Sequence, residues 1–283
     1  SQMNKILKLT GILMLMLTVF TTSSCSNDDD DTPKWESLAG EYTGWTSAEF
    51  KYSSTPLATD NEKLTIAVAD GKMSLQLASH QWGTATVNDV TIVEHGSDYK
   101  LSGTGSATLG MHGSGAKQYD CTMEGTISKD MKTVSVTLTY PAVMGGTTVA
   151  FNLGDAPVAK LVAGSYSGWT KGDCQYFKNQ TQNGEKVAIS SNEDGTVDVK
   201  LTSQMWGETT IQSVKAEKTA NGFTFAGTGK FAMSMGSNKN EYDCNLTGTL
   251  SADKETYSIV FNLPAVMGGL TITFAQGEAP SEQ

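Results

Sequence analysis

The feature that most limits what this chain can become is a long internal duplication. Gly40-Glu-Tyr-Thr-Gly-Trp45 returns as Gly164-Ser-Tyr-Ser-Gly-Trp169, Trp82-Gly83 as Trp206-Gly207, and Gly103-Thr-Gly105 as Gly227-Thr-Gly229, all at an offset of 124 residues. After a single deletion the offset becomes 123, carrying Tyr119-Asp-Cys121 onto Tyr242-Asp-Cys244 and Pro141-Ala-Val-Met-Gly-Gly146 onto Pro264-Ala-Val-Met-Gly-Gly269. Solenoid units and propeller blades run to about 20–50 residues, so a period this long is one whole domain. Two copies of a domain are therefore expected, over 36–156 and 160–280. A short Asp155-Ala-Pro157 segment joins them, and Glu278-Ala-Pro280 echoes it at the C-terminal end.

Within each copy the side-chain period is two. Val134, Val136, Leu138 and Tyr140 alternate with Thr133, Ser135, Thr137 and Thr139, the pattern of a strand with one buried and one wet face. Tyr119, Cys121, Met123 and Ile127 share one face of the strand before, and Leu101, Gly103, Gly105, Ala107 and Leu109 one face of the strand before that. Asp70-Gly71 and Asp194-Gly195 are hairpin dipeptides. Strands are expected near 40–51, 62–69, 72–80, 85–95, 99–109, 117–128, 133–140 and 147–153, with the same order in the second copy. Eight hairpin-linked strands suggest an all-β fold of two tandem antiparallel up-and-down barrels, closed so that no strand edge is left bare; a sandwich is the alternative.

Leu38-Ala-Gly40-Glu-Tyr42, repeated as Val162-Ala-Gly164-Ser-Tyr166, resembles the Gly-x-aromatic opening of the lipocalin and calycin barrels. Each unit is similar to the calycin-like β-barrel domain of surface lipoproteins in gut Bacteroidota. That resemblance implies a binding protein of the cell envelope.

The N-terminal stretch carries a targeting signal. Lys5 and Lys8 precede an apolar run over 9–20 and the small residues Thr21-Thr22-Ser23-Ser24, the layout of a secretory signal peptide over 1–24. Cys25 follows directly, which resembles a lipoprotein cleavage site and implies acylation of Cys25 and anchoring in outer-membrane lipid. The acidic stretch over 28–31 lacks the glycine pivot and distal carboxylate of a calcium loop and reads as a solvated tether, within a linker over 25–35. In Bacteroidota such a stretch resembles the signal for display at the cell surface.

The formal net charge is −10, and every basic residue is lysine. Nucleic-acid binding needs clustered cations and favours the guanidinium fork, so no nucleic acid is expected as a partner. His80, His95 and His112 are matched in the second copy by Gln204, Thr219 and Met235, which removes any histidine site common to both units. No nucleophile elbow, no Ser-His-acid set at matched places and no phosphate loop before a helix occurs, and neither an enzyme, a metal nor a cofactor is expected. Cys121 and Cys244 read as small buried apolar residues, with a Cys174–Cys244 bridge as a minority option.

Two binding modes remain. The first is a small apolar ligand held inside the barrels, with Tyr42, Met73, Met111, Met123 and Tyr140 as candidate lining in the first unit and Tyr166, Phe231, Met233 and Phe261 in the second. The glycines at 103 and 105 would make room on the inward face for a tryptophan or for that ligand. The second is contact with a surface glycan or protein through exposed Trp and Tyr and the Pro-Ala-Val-Met-Gly-Gly loops, with filled barrels. Trp45, Trp82, Trp169 and Trp206 fall out of phase with the inward set and are placed at barrel ends or on an outer face.

Overall fold

Alternating side chains carry the chain into strands, and tight turns hand each strand to its neighbour. The computed structural model describes residues 34–111, 114–235 and 237–281. The leader, Cys25 and the acidic stretch lie outside the described residues, as does His112. A 3₁₀ turn (Trp35–Leu38) leads into β1 (Gly40–Phe50), β2 (Leu57–Ala69), β3 (Lys72–Ser79), β4 (Gly83–His95), β5 (Asp98–Met111), β6 (Ser114–Ser128), β7 (Val134–Tyr140) and β8 (Thr147–Leu153). A short helix, α1 (Val158–Val162), precedes β9 (Gly164–Asp173), β10 (Gln180–Ser191), β11 (Val197–Ser203), β12 (Gly207–Thr219), β13 (Gly222–Met235), β14 (Asn238–Ser251), β15 (Tyr257–Leu263) and β16 (Leu270–Gln276). Within each barrel every strand pairs antiparallel with the next, and β1 with β8 and β9 with β16 close two eight-stranded barrels.

Closure is tightest at the glycine of the Gly-Trp pair. Gly44 pairs with Glu62 on one side and Leu153 on the other, and Gly168 with Glu185 and Gln276. A Cβ on Gly44 would stand 2.0 Å from the Asn152 carbonyl oxygen, and on Gly168 1.8 Å from that of Ala275. Only a residue without a side chain lets the first strand meet both neighbours.

Opposite these glycines each barrel carries a bulge. The β1–β2 register slips between Gly44 and Thr46, with Asn61 at φ +56°, and the β9–β10 register slips between Asn183 and Glu185, with Gly184 at φ +71°. One extra residue reverses which face the following side chains take. Strand β2 accordingly begins at Leu57, five residues before the regular alternation from 62 suggested. Ala58 packs outward against the second barrel's cluster, while Leu64 and Ile66 join the first barrel's core.

The bulge also turns a carboxylate inward. Glu62 is fully buried: its Oε1 accepts the Thr46 hydroxyl at 3.0 Å and the Ser79 hydroxyl at 2.6 Å, and its Oε2 accepts the His80 backbone N–H at 2.9 Å. Glu185, equally buried, accepts the Thr170 hydroxyl and the Gln204 backbone N–H, both at 2.9 Å. Each glutamate thus ties the first strand to the turn after the third. Above it lies a tryptophan. Trp206 Nε1 donates to the Thr170 hydroxyl at 3.1 Å, whereas Trp82 Nε1 is buried without a partner among the described residues.

The rest of each interior is apolar. Tyr140, Phe151, Phe231, Phe261 and Phe274 are among the largest fully buried side chains. The room left by Gly103, Gly105 and Gly229 is taken neither by a tryptophan nor by open space, whereas that at Gly172 is taken by the Trp206 ring. A Cβ on Gly103 or Gly105 would fall 2.8 Å from a Val87 methyl, and one on Gly229 3.1 Å from a methyl of Ile211. At one mouth, Tyr42 donates its hydroxyl to Leu38 O and Tyr166 to Val162 O, both at 2.6 Å, fixing buried Leu38 and Val162 as plugs.

Replacing Glu62 or Glu185 by Ala leaves buried donors without an acceptor, at about 1–3 kcal/mol per group. Each variant is expected to lose about 3 kcal/mol of stability in denaturant melts; a loss below about 0.5 kcal/mol, the range of ordinary surface substitutions, would refute the keystone role. Gly168→Ala should cost about 2–3 kcal/mol through overpacking at the seam, and an unchanged unfolding midpoint would show that the seam can yield.

Candidate functional site

The candidate lining residues of the two units fall into two separate buried clusters. Met73, Met123 and Tyr140 lie in the first, with half-buried Tyr42 packed against it, and Tyr166, Phe231, Met233 and Phe261 lie in the second. Phe231 and Phe261 meet edge to face with centroids 5.7 Å apart. The Met111 side chain lies outside the described residues. Burial raises the pKa of the Tyr140 and Tyr166 phenols, so both stay neutral.

Cys121, Cys174 and Cys244 are buried free thiols, and Cys174 and Cys244 are not bridged. Burial pushes Cys244 up to about 11 and raises Cys121 as well, which keeps both as unreactive thiols. Among the described residues no three His, Cys, Asp or Glu side chains converge as metal ligands.

Trp82 and Trp206 are buried at the barrel end opposite the plugs, Trp82 against Phe50 with centroids 6.4 Å apart and Trp206 stacked on Phe177 at 6.3 Å. They offer no face to a sugar. Trp45 sits on the outer surface, half-buried against the second barrel's cluster. What both units expose at this end is a tyrosine, Tyr52 at 76% and Tyr176 at 72%. Each follows its first strand and stands beside the Pro-Ala-Val-Met-Gly-Gly loop: Gly145 abuts Lys51 and the Tyr52 hydroxyl, and Gly268 abuts Gln175. In those loops Val143 and Val266 are buried, and Met144 and Met267 share a left-handed backbone at φ +48°. Non-glycine residues hold that conformation only where the surroundings enforce it.

The two barrels meet through α1, which packs on β2, β10 and β12. Asp60 accepts Lys218 Nζ at 3.1 Å and the Ala156 backbone N–H at 3.4 Å. Beside this contact a cleft of about 500 Å³ opens between the loop after β1 and the plug end of the second barrel. Tyr52 and Ser53–Thr55 form one wall, and Tyr166, Lys254 and Tyr257 the other. The buried glutamates, the exposed tyrosines and this cleft escape a reading of alternation alone. Alignment of the two copies carries the signal: Glu62-Lys63 matches Glu185-Lys186, Tyr52 matches Tyr176, and Met131 is replaced by Lys254.

No curated protein matches the chain. Among solved structures it is similar to a candidate outer membrane protein from Bacteroides fragilis, with 22% identity, a TM-score of 0.64 and coverage of 85% of this chain and 97% of that one. At that identity the likeness is one of fold. A more distant likeness is to transferrin binding protein B from serogroup B Neisseria meningitidis, with 9% identity, a TM-score of 0.30 and coverage of 83% and 76%. The calycin-like β-barrel domain matches residues 38–153 and again 162–276. The chain belongs to the calycin-like β-barrel family and carries two tandem copies of its domain.

Proposed function

We propose that this protein is an exported, non-enzymatic binding lipoprotein, held in the outer membrane by acylated Cys25 and displayed at the cell surface. Its partners, a surface glycan or protein, are met on the outside of filled barrels. The observation that carries this reading is the repeated barrel end: the exposed tyrosine stands at the same place in both units, beside a loop of identical sequence and identical strained backbone. Large exposed aromatics on a rigid frame suit recognition at low entropic cost. The leader over 1–24, the cysteine and the acidic tether over 25–35 support export and anchoring.

Binding of a small apolar molecule inside the barrels is the second reading. The thioethers of Met73, Met123 and Met233 favour it, because methionine adapts to irregular shapes. It requires buried side chains such as Phe231 and Phe261 to move apart.

Cells expressing the full chain and fed labelled palmitate should yield a labelled protein, and Cys25→Ser should abolish the label. Protease added to intact cells should digest the protein. A label that survives Cys25→Ser would contradict the anchor, and protection of the protein until the outer membrane is breached would contradict surface display.

A further inference from the structure

The inter-barrel cleft differs in charge from the rest of the molecule. The chain carries 30 acidic against 20 basic residues, yet no Asp or Glu is among the residues lining this cleft. It contains Lys254, half-buried, whose ammonium has no ion pair or hydrogen bond among the described residues. Adjacent Asp253 and Glu255 are exposed and outside the lining, and Asp253 is occupied by the Ser251 hydroxyl and the Glu255 backbone N–H. A smaller recess of about 190 Å³ shares Ser54 and Thr55 with the cleft and adds Lys160, while another that shares Phe50, Ser53, Ser54 and Pro56 brings the nearest carboxylate in the lining, Glu49.

The duplication shows that the lysine is not needed by the fold. The matched residue in the first barrel is Met131, with φ +59° against +63° for Lys254, and Met131 Sδ accepts the hydroxyl of Tyr42, the counterpart of Tyr166. The second copy has put a cation where an apolar residue supports the same turn. Its position costs it hydration, and burial holds its pKa below the ordinary lysine value. A bound anion would restore what burial removes.

The aromatic walls complete the site. Tyr257 is fixed: its hydroxyl donates to Ser167 O, and its ring stacks on Phe274 at 5.7 Å and meets Tyr166 in a T-shaped contact at 5.1 Å, centroid to centroid. Tyr52, on the other barrel, presents an exposed ring across the gap, with Lys51 Nζ 6.0 Å from its centroid. A volume of about 500 Å³ falls in the range of small-ligand sites, about 300–1,000 Å³. A ring on each side, several hydroxyls and one ammonium fit a sugar with a negative substituent.

We propose that the cleft between the barrels binds an acidic saccharide, its carboxylate or sulfate paired with Lys254 and its ring placed between Tyr52 and Tyr257. This rests on the reading that partners are met outside the barrels, and deepens it by naming a ligand class.

The test is an NMR titration of the folded protein with a glucuronate-containing disaccharide, alongside its neutral methyl ester. The expected result is saturable shifts confined to 50–57, 163–166 and 254–258, and affinity about tenfold weaker for the ester and for Lys254→Met, the size of one charge-assisted hydrogen bond. Because Met is what the first barrel carries at this turn, that variant is expected to fold, and its unchanged amide spectrum elsewhere checks this. No shifts at millimolar sugar, equal binding of acid and ester, or full affinity in Lys254→Met would each overturn the site. Such a failure with the protein still digested on intact cells removes the acidic-sugar site and leaves surface display standing, whereas protection on intact cells removes surface display itself.

Discussion

Both barrels depend on closure at their first strand. An eight-stranded barrel has no spare circumference, so the strand that begins the sheet must also end it. The duplicated Gly-Trp pair sits at that seam, where a Cβ would run into the backbone of the last strand. Facing it, a bulge turns Glu62 and Glu185 into the interior, and hydroxyls from the first strand and amides from the turn after the third converge on them. A buried carboxylate is tolerable only when its oxygens are satisfied, so the glutamate and its donors fix one register among those the alternating strands would otherwise allow.

That closure packs the interior with side chains. With Val87 and Ile211 against the strand glycines and phenylalanines across the middle, the interior serves chiefly as core. The copies differ in their cores, where Ala107, Leu138 and Tyr140 are matched by Phe231, Phe261 and Leu263, and they differ also where the barrels meet. Ala58 and Asp60, which face the second barrel, correspond to Thr181 and Asn183, and Asn183 accepts the Ala279 backbone N–H from the C-terminal segment at 2.8 Å. The Met131-to-Lys254 exchange lies at the same junction. The frame is kept in both copies, while the residues around the junction have been altered singly, the way function is grafted onto a stable fold.

Much of the fold was legible because alternation is strong and the chain states its pattern twice. The alternation of Val134, Val136, Leu138 and Tyr140 is reproduced in β7 as buried positions separated by partly exposed ones. Strand β2 was legible only from residue 62, because the bulge at Asn61 interrupts the period on which the reading relies. The same interruption hid Glu62, since a glutamate in a strand ordinarily points to water. The tryptophans were set apart from the inward phase, yet Trp82 and Trp206 join the buried clusters, because phase cannot tell an exposed outer face from a lid such as Trp82 or an inter-barrel contact such as Trp45. The cleft was illegible for a simpler reason: its walls come from residues about 200 apart in sequence, and only the docking of one barrel on the other brings them together.

The central claim is that these barrels are filled and bind on their outside. The most direct measurement is titration of the folded protein with a neutral apolar fluorophore, a phenylnaphthylamine, while following its emission and that of the tryptophans. Filled barrels predict no saturable rise in probe emission and no quenching of Trp82 or Trp206, which lie over the two interiors. Saturable binding at one or two sites with tryptophan quenching would contradict the account and return the ligand to the barrel interior.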